Sequence, residues 1–561
     1  MDTTHKEAPA PKALEVGIVV LGFLALYLST VSQYYTGDTL YYAHQVDTWL
    51  AHRLKIYMFY HFAHVLVIPI AVGFAYLGTT LFGLDSLTSM GLMAGLFGAG
   101  TVGLLYGTAR RLGLDLFRSL LLSLAFGLSF GLWDYSTVGE DRIQGTFFCA
   151  AFLCVFLASW QRSRPIQDLS WARGLLTGLL LGLAVTTHLS NCLLVPFFFL
   201  VSLFLYGKAA LRSSYLWAGT VSALLLIAAG YLLVAFGNQE NPSSFGEFIR
   251  LVFSYHSKEQ PYFVHRIDLA TIASQLLKAG IGTFTAFYYV PEAYIRTTFQ
   301  LTPTSVRIVL AALFLLASAM AIALLCSSRP DKIDIALGGL VALWGLHQVS
   351  FEPISRADWL PILFIAFLLI ARAWRRASAS PPGRRAARTA SLFSVFLPIF
   401  VVSLVINNGP HMVQYHKEKN PYVQFIEFCV RNLPQGSLLV EGNGMAITTL
   451  DYFHDKYTYP FSVVSFFDVM GLHPAIFCRL KPPPVVVREI DSALSDNRPV
   501  FITKRTIDID PMLREFLEIE YPQEVIDAFL RKYDVVPFRT DSPYSEIYQV
   551  FPKKRAVPSS P

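Results

Sequence analysis

The residues with the greatest chemical capacity in this 561-residue chain are charged groups standing at the ends of long apolar runs. Asp38 lies in Tyr-Tyr-Thr-Gly-Asp-Thr-Leu-Tyr-Tyr (34–42), directly after the apolar run 13–33. A carboxylate there either caps a helix that begins at that point or works as a general base at a membrane surface. A base has to stand about 2.6–3.2 Å from the hydroxyl whose proton it takes. The neighbouring Tyr34, Tyr35, Tyr41 and Tyr42 suit an interfacial aromatic belt or a stacking surface for a sugar. Glu140-Asp141-Arg142 forms a second group. Adjacent carboxylates can hold a divalent cation, Mg or Mn, or steer an acceptor, and Arg142 can meet a phosphate. An ordinary solvated loop has the same composition. His61 and His64, three residues apart, share a face if helical. They can bind phosphate when protonated or make polar contacts at the interface. Thr-His-Leu-Ser-Asn (187–191) interrupts an apolar run and reads as a tight hairpin that turns His188 toward an outer cavity. In Phe-Glu-Pro-Ile-Ser-Arg-Ala-Asp (351–358), Arg356 can neutralise a lipid-linked phosphate. Alternatively Glu352, Arg356 and Asp358 pair among themselves.

These groups need apolar elements to position them. The chain is 54% hydrophobic and 15% charged, whereas soluble chains are about a quarter charged. Apolar runs of about 17–25 residues, each long enough to cross a bilayer, recur from residue 13 to residue 407. The expected spans are 13–33, 87–109, 115–133, 143–160, 173–188, 190–207, 215–236, 304–326, 334–350, 359–374 and 390–407. Short basic loops recur between them: Arg110/Arg111/Arg118, Arg162/Arg164/Arg173, Lys208/Arg212, Arg329/Lys332, and a cluster from Arg372 to Arg388. An even number of spans separates each from the next, so all five can face the cytoplasm. The net charge of +6 is accounted for by these loops and asks for no nucleic acid. The lead 1–12 lacks a signal-peptide pattern, and the first run reads as a retained anchor.

The segment 56–80 breaks the even count, and with His61, His64 and Pro69 in it we expect it at the outer surface or only part way into the membrane. Eleven true spans then leave the C-terminus outside. The outer face collects the loops 34–55, 134–142, 237–303 and 351–358. Within the third, 268–290 is amphipathic and is expected along the membrane. Residues 408–561 read as a separate α/β domain, with a helix at 421–431 and strands at 437–442, 499–503 and 545–551. It has no nucleotide-binding glycine motif. The six cysteines have no metal-ligand spacing. Four lie in apolar runs as packing residues, while Cys429 and Cys478 can pair in an oxidising compartment.

The acid after the first span ("TGDTLYY"), the second acidic loop ("GEDR"), the non-spanning apolar segment between them and the "GLLLGLAVTTHLSNCLLVPFFFL" hairpin together resemble the type C glycosyltransferase (GT-C) superfamily. This includes protein O-mannosyltransferases, aminoarabinose transferases and oligosaccharyltransferases. The resemblance covers 13–407. It implies an α-helical polytopic membrane protein of about 11 transmembrane helices with juxtamembrane helices, followed by a small soluble domain. It also implies inverting sugar transfer from a polyprenyl-phosphate-linked donor to a protein, lipid or glycan on the outer face, as in a bacterial inner membrane. On that resemblance Asp38 is the base, and Glu140 and Asp141 are acceptor or metal residues. A His-Pro-Pro or Lys-Pro-Pro motif common in relatives is absent from "YMFYHFAHVLVIP", which leaves the donor sugar open. A transporter or a non-catalytic scaffold is the rival class. A transporter should carry intramembrane charges or inverted repeats, and neither is evident here.

Overall fold

The computed structural model describes residues 12–33, 35, 37–52, 64–160, 166–237, 244, 246, 276, 279–286, 304–327, 329–351, 357–381, 384–442, 452–453, 459–465, 484–508, 529–542 and 545–553. Its longer helices are α1 (Ala13–Leu28), α2 (Gly37–His52), α3 (Val67–Phe82), α4 (Ser86–Arg111), α5 (Leu116–Gly127), α6 (Phe130–Tyr135), α7 (Arg142–Trp160), α8 (Trp171–Thr187), α9 (Leu194–Tyr206) and α10 (Ser214–Gly237). They continue with α11 (Thr304–Ser327), α12 (Lys332–Phe351), α13 (Leu360–Ser378), α14 (Arg385–Lys417), α15 (Pro421–Asn432) and α16 (Pro484–Ser495). Each expected span overlaps one of these helices except 115–133, which is divided between α5 and α6. Among the described residues six stretches are long and apolar enough to cross a membrane: Ser86–Arg111, Arg142–Trp160, Leu189–Arg212, Ser214–Leu233, Ile308–Ser327 and the stretch from Arg385. Ala13–Leu28, Val67–Phe82, Leu116–Gly127 and Trp171–Thr187 are shorter apolar helices.

The bundle is apolar on its outside as well as its inside. Leu14, Ile18 and Leu21 of α1, Leu224 and Leu225 of α10, Ile308 and Ile322 of α11, and Leu392, Val395 and Ile399 of α14 are all exposed. Such a surface suits hydrocarbon, where helices satisfy their own backbone. Inside, α8 and α10 pack closely because small residues meet: a Cβ at Gly178 would stand 2.0 Å from the Gly219 carbonyl oxygen. This is the small-residue seam that substitutes for hydrophobic driving force between membrane helices.

The described basic loops gather at one end of the bundle. The Arg118 guanidinium lies 5.7 Å from the Trp374 ring centroid, and Lys332 Nζ lies 6.0 Å from that of Phe204. Ser213 Oγ donates to the Ile166 carbonyl at 3.0 Å. Two of the arginines are internally paired: Arg372 Nε donates to Asp334 Oδ1 at 2.6 Å, and Arg376 Nη1 is 2.5 Å from Asp334 Oδ2.

Four expectations change. The helix expected to end at 407 runs on to Lys417, so Asn407 and Asn408 are buried inside α14. Asn408 Nδ2 donates to the carbonyls of Leu128 and Phe284, and its Oδ1 accepts from Ala286 N. The same contacts correct the second expectation. Residues 279–286 do not lie along a surface. They are inserted in the bundle, with Phe284 against Phe314, Phe367 and Phe400. Thr283 and Thr285 turn their hydroxyls to carbonyls of their own turn, which makes the stretch apolar enough to bury. Third, helix α3 starts at Val67, so His64 stands in the turn before it rather than on a helix; His61 lies outside the described residues. Fourth, Cys429 is a buried free thiol, with its pKa pushed well up by burial and by Glu441 nearby; Cys478 lies outside the described residues.

After α15 comes a five-stranded sheet of order β2-β1-β3-β5-β4. Its strands are β1 (Ser437–Glu441), β2 (Phe461–Ser465), β3 (Val500–Thr503), β4 (Tyr533–Arg539) and β5 (Ile547–Pro552). β1 pairs in parallel with β2 and β3, while β5 runs antiparallel to β3 and β4. One face of this unit is not its own. Phe425, Ile426, Leu439, Tyr452 and Phe501 share an apolar cluster with Leu40, Val46, Ile68 and Met90 of α2, α3 and α4. The domain is thus seated on the juxtamembrane helices, at the end opposite the basic loops.

The charge asymmetry predicts sidedness. A cysteine at Arg384 should resist impermeant maleimide in sealed right-side-out vesicles, and one at Asp496 should react. Labelling of position 384 from outside would reverse the orientation.

Candidate functional site

The loop that starts α7 builds the site. Val138 accepts a hydrogen bond from Glu140 N at 2.9 Å, and the Asp141 carbonyl accepts from Gln144 N and Gly145 N, turning the chain into the helix. This places Asp141 at the mouth of α7 with its side chain fully buried. Its Oδ2 stands 2.6 Å from His64 Nδ1, and its Oδ1 accepts from Arg142 Nη1 at 3.0 Å. Burial by itself would raise the Asp141 pKa. The Arg142 guanidinium, then His64 and His188, outweigh that cost and hold the carboxyl well below the usual carboxylate range.

A second carboxylate completes the arrangement. Asp358, in the helical turn Ala357–Trp359 before α13, is buried. Its Oδ1 lies 3.3 Å from His188 Nε2 and 3.9 Å from Arg142 Nε. His188 Nδ1 is hydrogen-bonded to Ser190 Oγ at 2.6 Å, which fixes the ring. The His188 and His64 rings face each other with centroids 4.9 Å apart. Two carboxylates, one guanidinium and two imidazoles therefore form a closed circuit: His64, Asp141, Arg142, Asp358, His188. It borders a small cleft lined by Arg142, Thr146, His188, Ser190, Asn191 and Asp358.

The hairpin 187–191 is held by packing as much as by its turn. Asn191 Nδ2 donates to the carbonyls of Ala184 and Gly145, at 2.8 and 3.3 Å. Gly145 lets α7 approach, because a Cβ there would stand 2.7 Å from His188 Cβ.

The structure joins some of the expected residues and separates others. His64, Asp141, Arg142 and His188 come together. Glu140 is buried next in sequence, yet it stands outside the group of potential metal ligands, which is His64, Asp141 and His188, with donor atoms all within 4.8 Å of one another. Asp358, expected to pair locally with Glu352 and Arg356, reaches Arg142 and His188. Glu352 and Arg356 lie outside the described residues. Asp38 is the second residue of α2, inside the first turn rather than ahead of it. Gln348, whose Nε2 is 3.5 Å from Asp358 Oδ2, is a site neighbour that the sequence did not single out. It sits inside an apolar run, where an uncharged amide is an easily overlooked signal.

With its helical bundle followed by a small α/β unit, the chain has the fold of solved structures of type C glycosyltransferases, GT-C. It superposes over 96% of its length on 98% of ArnT from Cupriavidus metallidurans, a structure bound to undecaprenyl phosphate, with a TM-score of 0.55 and 13% identity. It also matches the Archaeoglobus fulgidus oligosaccharyltransferase in complex with Zn and sulfate, covering 94% of this chain and 72% of that one, with a TM-score of 0.54 and 12% identity. No protein-family model matches the sequence, and no curated protein matches it in sequence.

The tight approach at Gly145 makes a prediction about the circuit. Gly145→Ala should push the 187–191 hairpin off α7 at a cost of about 1–3 kcal/mol, read as a lower unfolding temperature of the purified protein. Gly17→Ala, with nothing within 4 Å of the added carbon, is the control and should leave it unchanged. Equal unfolding temperatures for both variants would show that the hairpin is not held this way.

Proposed function

We propose that this protein is an integral membrane glycosyltransferase that moves a sugar from a polyprenyl-phosphate-linked donor to a protein, lipid or glycan acceptor on the outer face of the membrane, with inversion. In this reading it sits in a bacterial inner membrane, with the 408–561 region outside. The observation that carries the proposal is the buried circuit around Asp141, placed in a fold shared along its length with a structure that binds undecaprenyl phosphate. Buried ion pairs contribute little net stability against an apolar alternative. Strongly perturbed acids in a cleft point to function.

The chemistry assigned to the chain's own residues is a displacement at the anomeric carbon. The Asp38 carboxylate takes the proton of the acceptor hydroxyl as its oxygen attacks. The bond from the anomeric carbon to the phosphate oxygen breaks, and polyprenyl phosphate leaves with the electron pair. Arg142 meets the leaving phosphate, a role the sequence also suggests for Arg356 and His61. His64 is held by Asp141, and Asp358 orients Arg142 and His188. Glu140 and Asp141 position the acceptor. Removing the base typically costs about 10²–10⁴-fold in rate.

The metal reading is narrower than an Mg or Mn site on an acidic pair. The donor group is one carboxylate and two imidazoles, His64, Asp141 and His188. Imidazoles suit Zn and the later transition metals, whereas Mg prefers oxygen ligands. The Zn complex of the archaeal structure is in keeping with this. A cation held there would stabilise negative charge on the leaving phosphate.

Two measurements test these readings. Protein in nanodiscs is incubated with radiolabelled mannose, glucose and aminoarabinose, each linked to undecaprenyl phosphate, and a lysate of acceptors. Wild type should transfer label and Asp38→Asn, folded normally, should not. Transfer at the wild-type rate by Asp38→Asn would remove the base assignment. Separately, protein dialysed against Zn²⁺ should retain about one ion per chain by elemental analysis, following the imidazole preference. The pair of variants Asp141→Asn and His188→Ala should lose it. Equal retention in both would return the group to a plain hydrogen-bonded network.

A further inference from the structure

The short segment between α1 and α2 leads directly to Asp38, the second residue of α2, and three separate parts of the protein grip it. Ser32 N donates to the Thr137 carbonyl at 3.1 Å, in the loop that leads to Asp141. Gln33 N donates to the Tyr415 carbonyl at 2.9 Å, and His416 Nδ1 is 2.7 Å from the Val31 carbonyl oxygen. The grip nearest Asp38 comes from Asn420, whose Nδ2 donates to the Tyr35 carbonyl at 2.7 Å. Asn420 is fully buried, and its other amide atom is committed as well: Oδ1 accepts from Tyr422 N at 2.8 Å and caps α15.

One side chain thus begins the first helix after the membrane bundle and holds the backbone three residues before Asp38. The amide can do both because it carries its acceptor and its donor on two separate atoms. The α2 helix is seated further along by Tyr452, whose hydroxyl is hydrogen-bonded to Asp47, and by the apolar cluster it shares with Phe425 and Ile426. A base at the membrane surface must be held at a fixed depth, and a misplacement of about 1 Å can cost on the order of 10²-fold in rate.

We infer that Asn420 is a positioning residue: it couples the C-terminal domain to the start of α2 and so sets where Asp38 stands. The inference rests on the proposed role of Asp38. It gives the C-terminal domain a part in catalysis without contact with substrate.

Asn420→Asp separates the two duties, because Asp caps a helix as well as Asn but cannot donate to Tyr35. Should Asn420→Asp fail to fold, Asn420→Ser keeps a capping oxygen and is too short to reach Tyr35. We expect an unfolding temperature near wild type and backbone hydrogen exchange over residues 37–45 faster by roughly five-fold, as for one lost hydrogen bond. With the undecaprenyl-phosphate-linked donor that supports transfer, kcat should fall roughly 10- to 100-fold while the donor KM is unchanged. In the Asp38→Asn background the same substitution should cost nothing more. Wild-type exchange over 37–45 would overturn the clamp, whatever Asp38 does. Losses that multiply in the double variant would assign Asn420 a purely structural role. A wild-type rate for Asp38→Asn would sink the base reading and the catalytic half of this inference, leaving the exchange result to decide the clamp.

Discussion

The completely buried carboxylate of Asp141 is the constraint around which the polar end of this bundle is arranged. An ionised acid without water is costly, so every group around it is committed to offsetting that cost: the Arg142 guanidinium on one oxygen and the His64 ring on the other. Arg142 also approaches Asp358, and Asp358 is met in turn by His188. Removing one partner strands the next, which is why breaking such a pair typically costs about 3–5 kcal/mol. The circuit also fixes geometry. It joins four chain segments, 64, 141–142, 188 and 358, at one depth.

The same rule governs the rest of the membrane bundle. Irregular backbone at membrane depth is tolerated where protein groups satisfy it. Asn408 does this for Leu128, Phe284 and Ala286, three backbone groups from two segments. At the opposite end Arg372 and Arg376 share Asp334, so part of the basic surface is spent internally and the exposed arginines beyond it supply the charge asymmetry. The two ends therefore differ in kind: one binds its charges into a closed cluster, the other leaves many of them facing out.

Between the bundle and the sheet there is no loose linker. Helix α14 projects past the bundle to Lys417, and α15 starts three residues later. The domain it leads into completes its core with side chains from α2 and α3. Burying a large apolar side chain contributes roughly 1.5–3 kcal/mol, so several shared across this boundary make relative sliding of the two parts costly. Phe425, Ile426 and Tyr452 are therefore as much part of the juxtamembrane layer as of the domain, and a helix carrying a catalytic candidate is packed between them.

The sequence by itself determined what depends on neighbours along the chain. Apolar run length and basic loops placed most helices of the bundle, and short-range periodicity placed a helix at 421–431 and strands at 437–442, 499–503 and 545–551, each within two residues of α15, β1, β3 and β5. It also pointed to Asp38, His64, Asp141, Arg142 and His188, because polar groups beside apolar runs are conspicuous. Only the tertiary structure decided which of them meet. Glu140 and Asp141 are indistinguishable in sequence, yet the turn into α7 sends only Asp141 into the ligand group. Asp358 reads in the sequence as a partner for residues beside it, and its contacts with Arg142 and His188 appear only in the folded bundle. The inserted 279–286 stretch looked like a surface helix because its amphipathicity does not say which medium its polar face will find, and Asn408 supplied one from far along the chain. Strand order and the grip of Asn420 on Tyr35 are likewise long-range. Periodicity records the environment of a face but not the identity of what packs against it, and pairings across hundreds of residues are settled only when the whole bundle closes.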